Sequence, residues 1–246
     1  MLRDKFRDFF NSQFQSLDDR IKSQSESLRK EVANQYKQIE AVTQIISLLD
    51  FEKPIPPLRG SVISPDAAIQ VIDYIIVEKP KLIVELGSGV STLLWAQTLK
   101  KYSIGSTIIA VDHLTQFADI SRNLIAKHEL AEYVTIIEAP LETTTINECE
   151  YEWYKASKIS DILKEHECDI DLLFIDGPPR NVPNRNYRYP AIPILKEFMH
   201  DNTTVFLDDS GRLDEQHVMC MWQKDYDLVQ DHLYSTEKGL AKFKNR

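Results

Sequence analysis

Acids stand at the ends of four apolar runs in this chain, and the first of them adjoins a glycine turn. In Lys81-Leu-Ile-Val-Glu-Leu-Gly-Ser-Gly-Val-Ser-Thr92, Glu85 lies two residues before Gly87, and Gly89, Ser91 and Thr92 follow. Glycines at such a turn accept positive φ and let backbone pass close to a ligand, while the N–H groups of the next helix point over the strand end. This is the crevice in which open α/β sheets bind nucleotides. Asp112 ends the second run, Thr107-Ile-Ile-Ala-Val. There it can accept hydrogen bonds from ribose hydroxyls or cap the following helix. Asp176 ends the run from Ile170, and Asp208-Asp209 end the run from Thr203. Three carboxylates on one sheet edge repel each other and call for a cation. Hard oxygen ligands suit Mg²⁺, Ca²⁺ or Mn²⁺. Helix caps with salt bridges to Arg180, Arg185, Arg188 or Arg212 explain the same acids equally well.

These residues need strands to carry them. From Lys81 the pattern alternates: strand 81–86, helix 91–102, strand 107–112, helix 116–128, strand 134–138, and a less regular stretch with a helix near 152–166. Strand 170–176, a Pro/Asn/Arg loop, helix 190–200, strand 203–208 and helix 213–224 follow. Such βαβ repetition predicts a doubly wound, mostly parallel sheet, which gathers all the strand-end residues on one edge. Segments 227–234 and 240–244 read as a closing hairpin. The loop Pro178–Pro190 holds Arg180, Arg185, Tyr187, Arg188 and Tyr189, and its aromatic and guanidinium groups suit a sugar or an anionic substrate. Three prolines make 51–63 a stiff linker, and Ser64-Pro65 is an N-cap opening a helix to about Glu78. The expected organisation is a helix over 1–50, a linker over 51–63 and one domain over 64–246.

Glu85-Leu-Gly-Ser-Gly-Val-Ser-Thr92, Asp176-Gly-Pro-Pro179 and Leu207-Asp-Asp209 with Arg212 and Glu215 resemble the pattern of class I S-adenosylmethionine (SAM) methyltransferases. The resemblance covers about 60–246 and implies a seven-stranded Rossmann-like sheet with an antiparallel last strand. It implies SAM as cofactor, with Glu85, Gly87, Ser88, Gly89, Ser91, Thr92, Asp112, His113 and Asp176 around it and Ala139, Pro140 and Leu141 bordering the adenine. Ser91 stands where the family usually has a third glycine. Asp176, Asp208 and Asp209 are similar to the metal site of catechol-type and antibiotic-sugar O-methyltransferases. That similarity implies Mg²⁺ or Mn²⁺ and methylation of a sugar, glycan or small-molecule hydroxyl. The sugar enzymes carry a further acid as general base where this chain has Pro178-Pro179-Arg180. The base is therefore open among Asp209, His113 and Tyr187, with Asp176, Asp209 and His113 as catalytic candidates. Arg59, Arg180, Arg185, Tyr187 and Arg188 are the candidate substrate contacts.

A formal net charge of −9 over 246 residues argues against a nucleic-acid partner and for a small or neutral one. No long apolar run follows the start, so neither a signal peptide nor a membrane span is expected, and the chain reads as cytoplasmic. Cys149, Cys168 and Cys220 form no C-x-x-C pair and are expected to be core thiols. Residues 2–50 contain no Gly or Pro and place Phe14, Ile21, Leu28, Gln35, Val42 and Leu49 at every seventh position. Phe10 and Leu17, then Val32, Ile39 and Ile46, form a companion row shifted by one position. A helix of this length reaches roughly 70 Å, more than one domain needs, which predicts a homo-oligomeric coiled coil. The alternatives are a helix folded onto its own domain, or a tip (Leu2, Phe6, Phe9 and Phe10 with Arg3, Lys5 and Arg7) lying on a membrane. Two other functional classes compete: a coiled-coil scaffold with an inert Rossmann-like domain, and an NAD(P)-linked oxidoreductase. Glu85 and Thr92 speak against NAD, and the intact set of Glu85, Gly87, Gly89 and Asp112 speaks against a scaffold.

Overall fold

The computed structural model describes residues 2–166, 168–179 and 186–245. Helix α1 (Leu2–Leu49) leads through the proline segment to α2 (Pro65–Glu78). The alternation then runs β1 (Leu82–Leu86), α3 (Val90–Tyr102), β2 (Thr107–Asp112), α4 (Thr115–Lys127) and β3 (Val134–Glu138). Next come β4 (Leu141–Ile146), β5 (Cys149–Tyr154), α5 (Ala156–Glu165), β6 (Ile170–Ile175) and α6 (Ala191–Leu195). The chain closes with β7 (Met199–Asp208), α7 (Leu213–Asp225), β8 (Leu228–Tyr234) and β9 (Leu240–Asn245). Seven strands form one sheet in the order β3-β2-β1-β6-β7-β9-β8, parallel except where β9 runs antiparallel to both β7 and β8. The Rossmann-like sheet with an antiparallel last strand is therefore present.

Alternating side chains of the central strands feed two cores. Leu82, Val84 and Leu86 face the side covered by α5, α6, α7 and the β4–β5 hairpin, while Ile83 faces α2, α3 and the end of α1. Apolar faces on both sides are why the central strands read as continuous apolar runs. Strand order reverses between β1 and β6, and a crevice opens there beyond the carboxyl ends.

Several expectations need correction. Residues 141–154 form a β-hairpin where a less regular stretch was expected, and the helix expected near 152–166 begins only at Ala156. Tyr151 and Trp153 are buried while Glu150 and Glu152 are exposed, a period of two, and Asn147 and Glu148 turn the chain at φ 50° and 65°. The helix expected over 190–200 is only α6 and one 3-10 turn (Lys196–Phe198), since Pro193 cannot donate within it and β7 begins at Met199. All three cysteines are exposed. Ser64 stands at the N-cap of α2, but its hydroxyl makes no capping bond; its carbonyl accepts the N–H groups of Ala67 (3.0 Å) and Ala68 (2.9 Å).

Only the last turns of α1 rest on the domain. Ala41, Ile45 and Leu49 are buried against α2 and α3, and Gln97 Nε2 donates to the terminal carbonyl of Leu49 (2.8 Å). The rows at 42 and 49 are thus partly used by the chain's own core. From Phe6 to Ala33 every described side chain of α1 is exposed.

Candidate active site

The β1–α3 turn is built around Glu85. This carboxylate is fully buried; its Oε2 accepts from Thr92 Oγ1 (2.6 Å), and that oxygen in turn accepts the N–H of Gly89 (2.9 Å). Glu85 therefore lies behind the turn and braces it. Burial is the main reason its carboxyl is pushed up to about 7; the polar groups of Ser91, Thr92 and Trp95 around it work the other way. Gly87 takes φ +102°, and a Cβ there would press on the backbone of Asp176 at 3.3 Å. At the end of β2, Asp112 Oδ2 accepts from Ser88 Oγ (3.0 Å) and Oδ1 accepts the Leu114 N–H (3.1 Å), with His113 Nδ1 3.5 Å away. Asp112 thus ties the two turns together and also starts the approach to α4.

Between these turns lies a cavity of about 300 Å³. Gly87, Ser88, Gly89, Val90 and Ser91 form one wall, Asp112, His113 and Phe117 a second, and Tyr154, Asp176, Gly177 and Pro179 the floor. The last wall is a strap, Ser61-Val62-Ile63, from the proline linker. Lys238 Nζ in the β8–β9 turn pins the strap by donating to the carbonyls of Gly60 (2.7 Å) and Val62 (2.6 Å). A larger hollow of about 720 Å³ between α1 and α2 holds no comparable convergence of strand-end groups.

The acidic residues meet as expected. Ligand atoms of Asp176, Asp208 and Asp209 lie within 4.8 Å of one another. The cation among them is Arg188, 3% exposed, which donates to the Asp208 and Asp176 carbonyls (2.8 and 2.9 Å), Asp176 Oδ1 (3.2 Å) and Asp209 Oδ2 (3.0 Å). Arg212 adds a 2.8 Å contact to Asp209, and Glu215 lies 3.6 Å from Arg188. Burial first, then Asp208, raises the Asp176 carboxyl well above the usual range, and burial with Asp209 pushes Asp208 up to about 6. Asp208 Oδ1 and Asp209 Oδ1 remain buried without hydrogen-bond partners.

The remaining candidates divide. Ser88, Ser91, His113 and Asp176 line the cavity, whereas Thr92 is packed beneath it. Ala139, Pro140 and Leu141 lie outside its wall; the Ala139 N–H donates to the Asp112 carbonyl (2.8 Å). Tyr187 and Arg188, expected to meet substrate, are turned inward: Tyr187 Oη donates to Glu215 Oε1 (2.8 Å), and burial pushes its phenol up to about 12. Arg59 is exposed just outside the strap, and Arg180 and Arg185 fall outside the described residues. The sequence carries no deciding signal for Tyr154, Phe117 or Lys238, and of the strap segment it offered only the neighbouring Arg59. The alternation of Tyr151 and Trp153 points to Tyr154 only once the hairpin is known, and a lone lysine in a Ser-Thr-Glu-Lys-Gly turn carries no such signal.

A methyltransferase-domain family model matches residues 84–210, more than half of the chain and every strand-end residue described above. The chain belongs to the methyltransferase family. In solved structures, the fold of this methyltransferase is similar to that of a Podospora anserina methyltransferase (TM-score 0.61, 15% identity, 89% of this chain and 95% of that one). It is also similar to a Bacillus cereus O-methyltransferase (0.56, 13%, 87% and 97%) and to the Streptomyces achromogenes O-methyltransferase TomG (0.53, 14%, 85% and 89%). No curated protein matches the methyltransferase sequence.

Proposed function

We propose that the chain is a SAM-dependent O-methyltransferase acting on a hydroxyl of a sugar, glycan or other small molecule. The observation that carries this is the joining of the Gly87–Ser91 turn and Asp112 around one cavity with a carboxylate, Asp176, in its floor. Two of the similar structures were described with S-adenosylhomocysteine and one with SAM, which supports the same cofactor here. In this reading Asp112 accepts from ribose hydroxyls, and a cationic methionine end near the turn favours the ionised form of Glu85 behind it. Methyl transfer breaks the S–CH₃ bond, forms O–CH₃ and releases the hydroxyl proton, giving S-adenosylhomocysteine and the methyl ether. Asp176 is the base this geometry favours, because its carboxyl lines the cavity where the acceptor hydroxyl must lie. His113 is the other cavity-lining candidate, whereas Asp209 and Tyr187 are not in its lining.

The same three acids fit a hard divalent ion such as Mg²⁺ or Mn²⁺ through their oxygens, two of which are unpartnered. Such an ion would polarise the acceptor oxygen. Because Arg188 already supplies positive charge at Asp176 and Asp209, we favour a metal-independent reaction. Titration calorimetry tests the cofactor: heat with SAM and S-adenosylhomocysteine is expected and none with NAD, and the reverse result would overturn the reading. Asp112→Ala is expected to weaken SAM binding by about 1–3 kcal/mol. Methyl transfer to a panel of sugars, run with and without EDTA, tests the rest. Activity retained in EDTA supports Arg188 as the fixed cation; activity lost and restored by Mg²⁺ assigns the acids to a metal.

A further inference from the structure

Helix α1 has two apolar sides, and its own domain uses only one. Ala41, Ile45 and Leu48 face α2 and α3, while Ile39 and Ile46 lie on another side of the helix, exposed. That second side continues away from the domain through Val32, Leu28, Ile21, Leu17, Phe14 and Phe10, all exposed. The spacing explains the one-position shift between the heptad rows. From Phe10 to Ile46, steps of three and four residues through 14, 17, 21, 24, 28, 32, 35, 39 and 42 include a single consecutive pair of fours, after Gln24. Ten steps thus span 36 residues, 3.6 per step, and the stripe stays on one side of a nearly straight helix.

We infer that this stripe is a docking surface for the same stripe of a second copy of the chain. Residues 2–33 extend roughly 50 Å, and a lone helix of that length in water, with no tertiary packing, is marginal. Eight exposed apolar residues of the stripe are each 47–66% accessible. At roughly 100 Å² apiece, their burial approaches the ~800 Å² per partner of a standard interface. Gln24 and Gln35 interrupt the stripe with side-chain amides that can both donate and accept, so two copies can satisfy each other there. Charge disfavours a lipid surface: residues 2–49 carry eight Lys or Arg and seven Asp or Glu, without the cationic excess of interfacial helices.

Sedimentation equilibrium of the full chain reads this directly. A mass of at least twice 28.5 kDa is expected, falling to 28.5 kDa in the double variant Ile21→Asp/Leu28→Asp and unchanged in Ser23→Asp on the opposite side. The substituted side chains touch nothing in the catalytic domain, so the domain's melting transition reports whether the variants fold. Helical circular dichroism of the unsubstituted chain should also fall on dilution. A wild-type chain that stays at 28.5 kDa overturns the inference, whether it remains free or pellets with phosphatidylserine–phosphatidylcholine vesicles. So does a double variant that keeps the higher mass.

Discussion

Glu85 and Arg188 are buried for opposite purposes, and pH separates them. In the cofactor-free chain Glu85 keeps its proton up to about pH 7, while the unfolded chain releases it near the ordinary value of 4.5. The folded state then binds the extra proton between those limits, so stability falls as pH rises through them, by about 3 kcal/mol in total. Asp208, pushed up to about 6, and the raised Asp176 act in the same direction. Denaturant melts of the apo chain between pH 5 and 8 should show this decline, and Glu85→Gln should flatten it most near pH 6. An unchanged slope in that variant would mean that another group titrates. Arg188 is always charged, and Asp176 and Asp209 hold it in place. Arg188→Met leaves those carboxylates facing each other and is expected to cost about 3 kcal/mol or more. Arg188→Lys should recover little of this, because an ammonium cannot reach two carbonyls and two carboxylates as the planar fork does. Chemical denaturation of both variants checks the order.

The central elements were legible because their side chains repeat a local period. β1, β2 and β6 are apolar runs broken by turn residues, and Gly87, Gly89, Asp112 and Asp176 at their ends face the cavity, with Glu85 behind the first turn. The β4–β5 hairpin was lost because Glu150 and Glu152 interleave with Tyr151 and Trp153 in a stretch also compatible with a helix. Burial of one set, a tertiary fact, decides between them. The inward turn of Arg188 was equally invisible, since a Pro-rich loop of arginines and tyrosines reads as surface until four acids are known to lie beneath it. The contact between β5 and the β6 edge yields a sharp test. A Cβ at Gly177 would collide with the Tyr154 hydroxyl and approach Leu86 O (3.1 Å) and Gly87 N (3.2 Å). Gly177→Ala is expected to cost about 1–3 kcal/mol and to weaken cofactor binding. Gly105→Ala, where nothing lies within 4 Å, serves as the near-neutral control in the same thermal melts and titrations.

At the scale of the whole molecule, stability is distributed unevenly. The seven-stranded sheet lies between two buried cores, whereas every described side chain of α1 from Phe6 to Ala33 is exposed. Hydrogen exchange should therefore find the strands slowest. Residues 2–33 should be protected at high protein concentration and lose that protection on dilution, while β1 and β6 are unaffected. Concentration-independent protection of that segment would mean that α1 is stable alone. The cavity also borrows a wall from outside the sheet, the strap Ser61–Ile63, which Lys238 fastens through two carbonyls. A cofactor bound against that wall is expected to exchange more slowly while the strap is fastened, which would set a clock on turnover separate from the methyl transfer itself. Rapid-quench kinetics would then show a first methyl group per chain appearing in a burst, with later ones waiting on exchange. Lys238→Met, by leaving the strap unfastened, should shrink the burst and speed the steady state even as it loosens the grip on SAM.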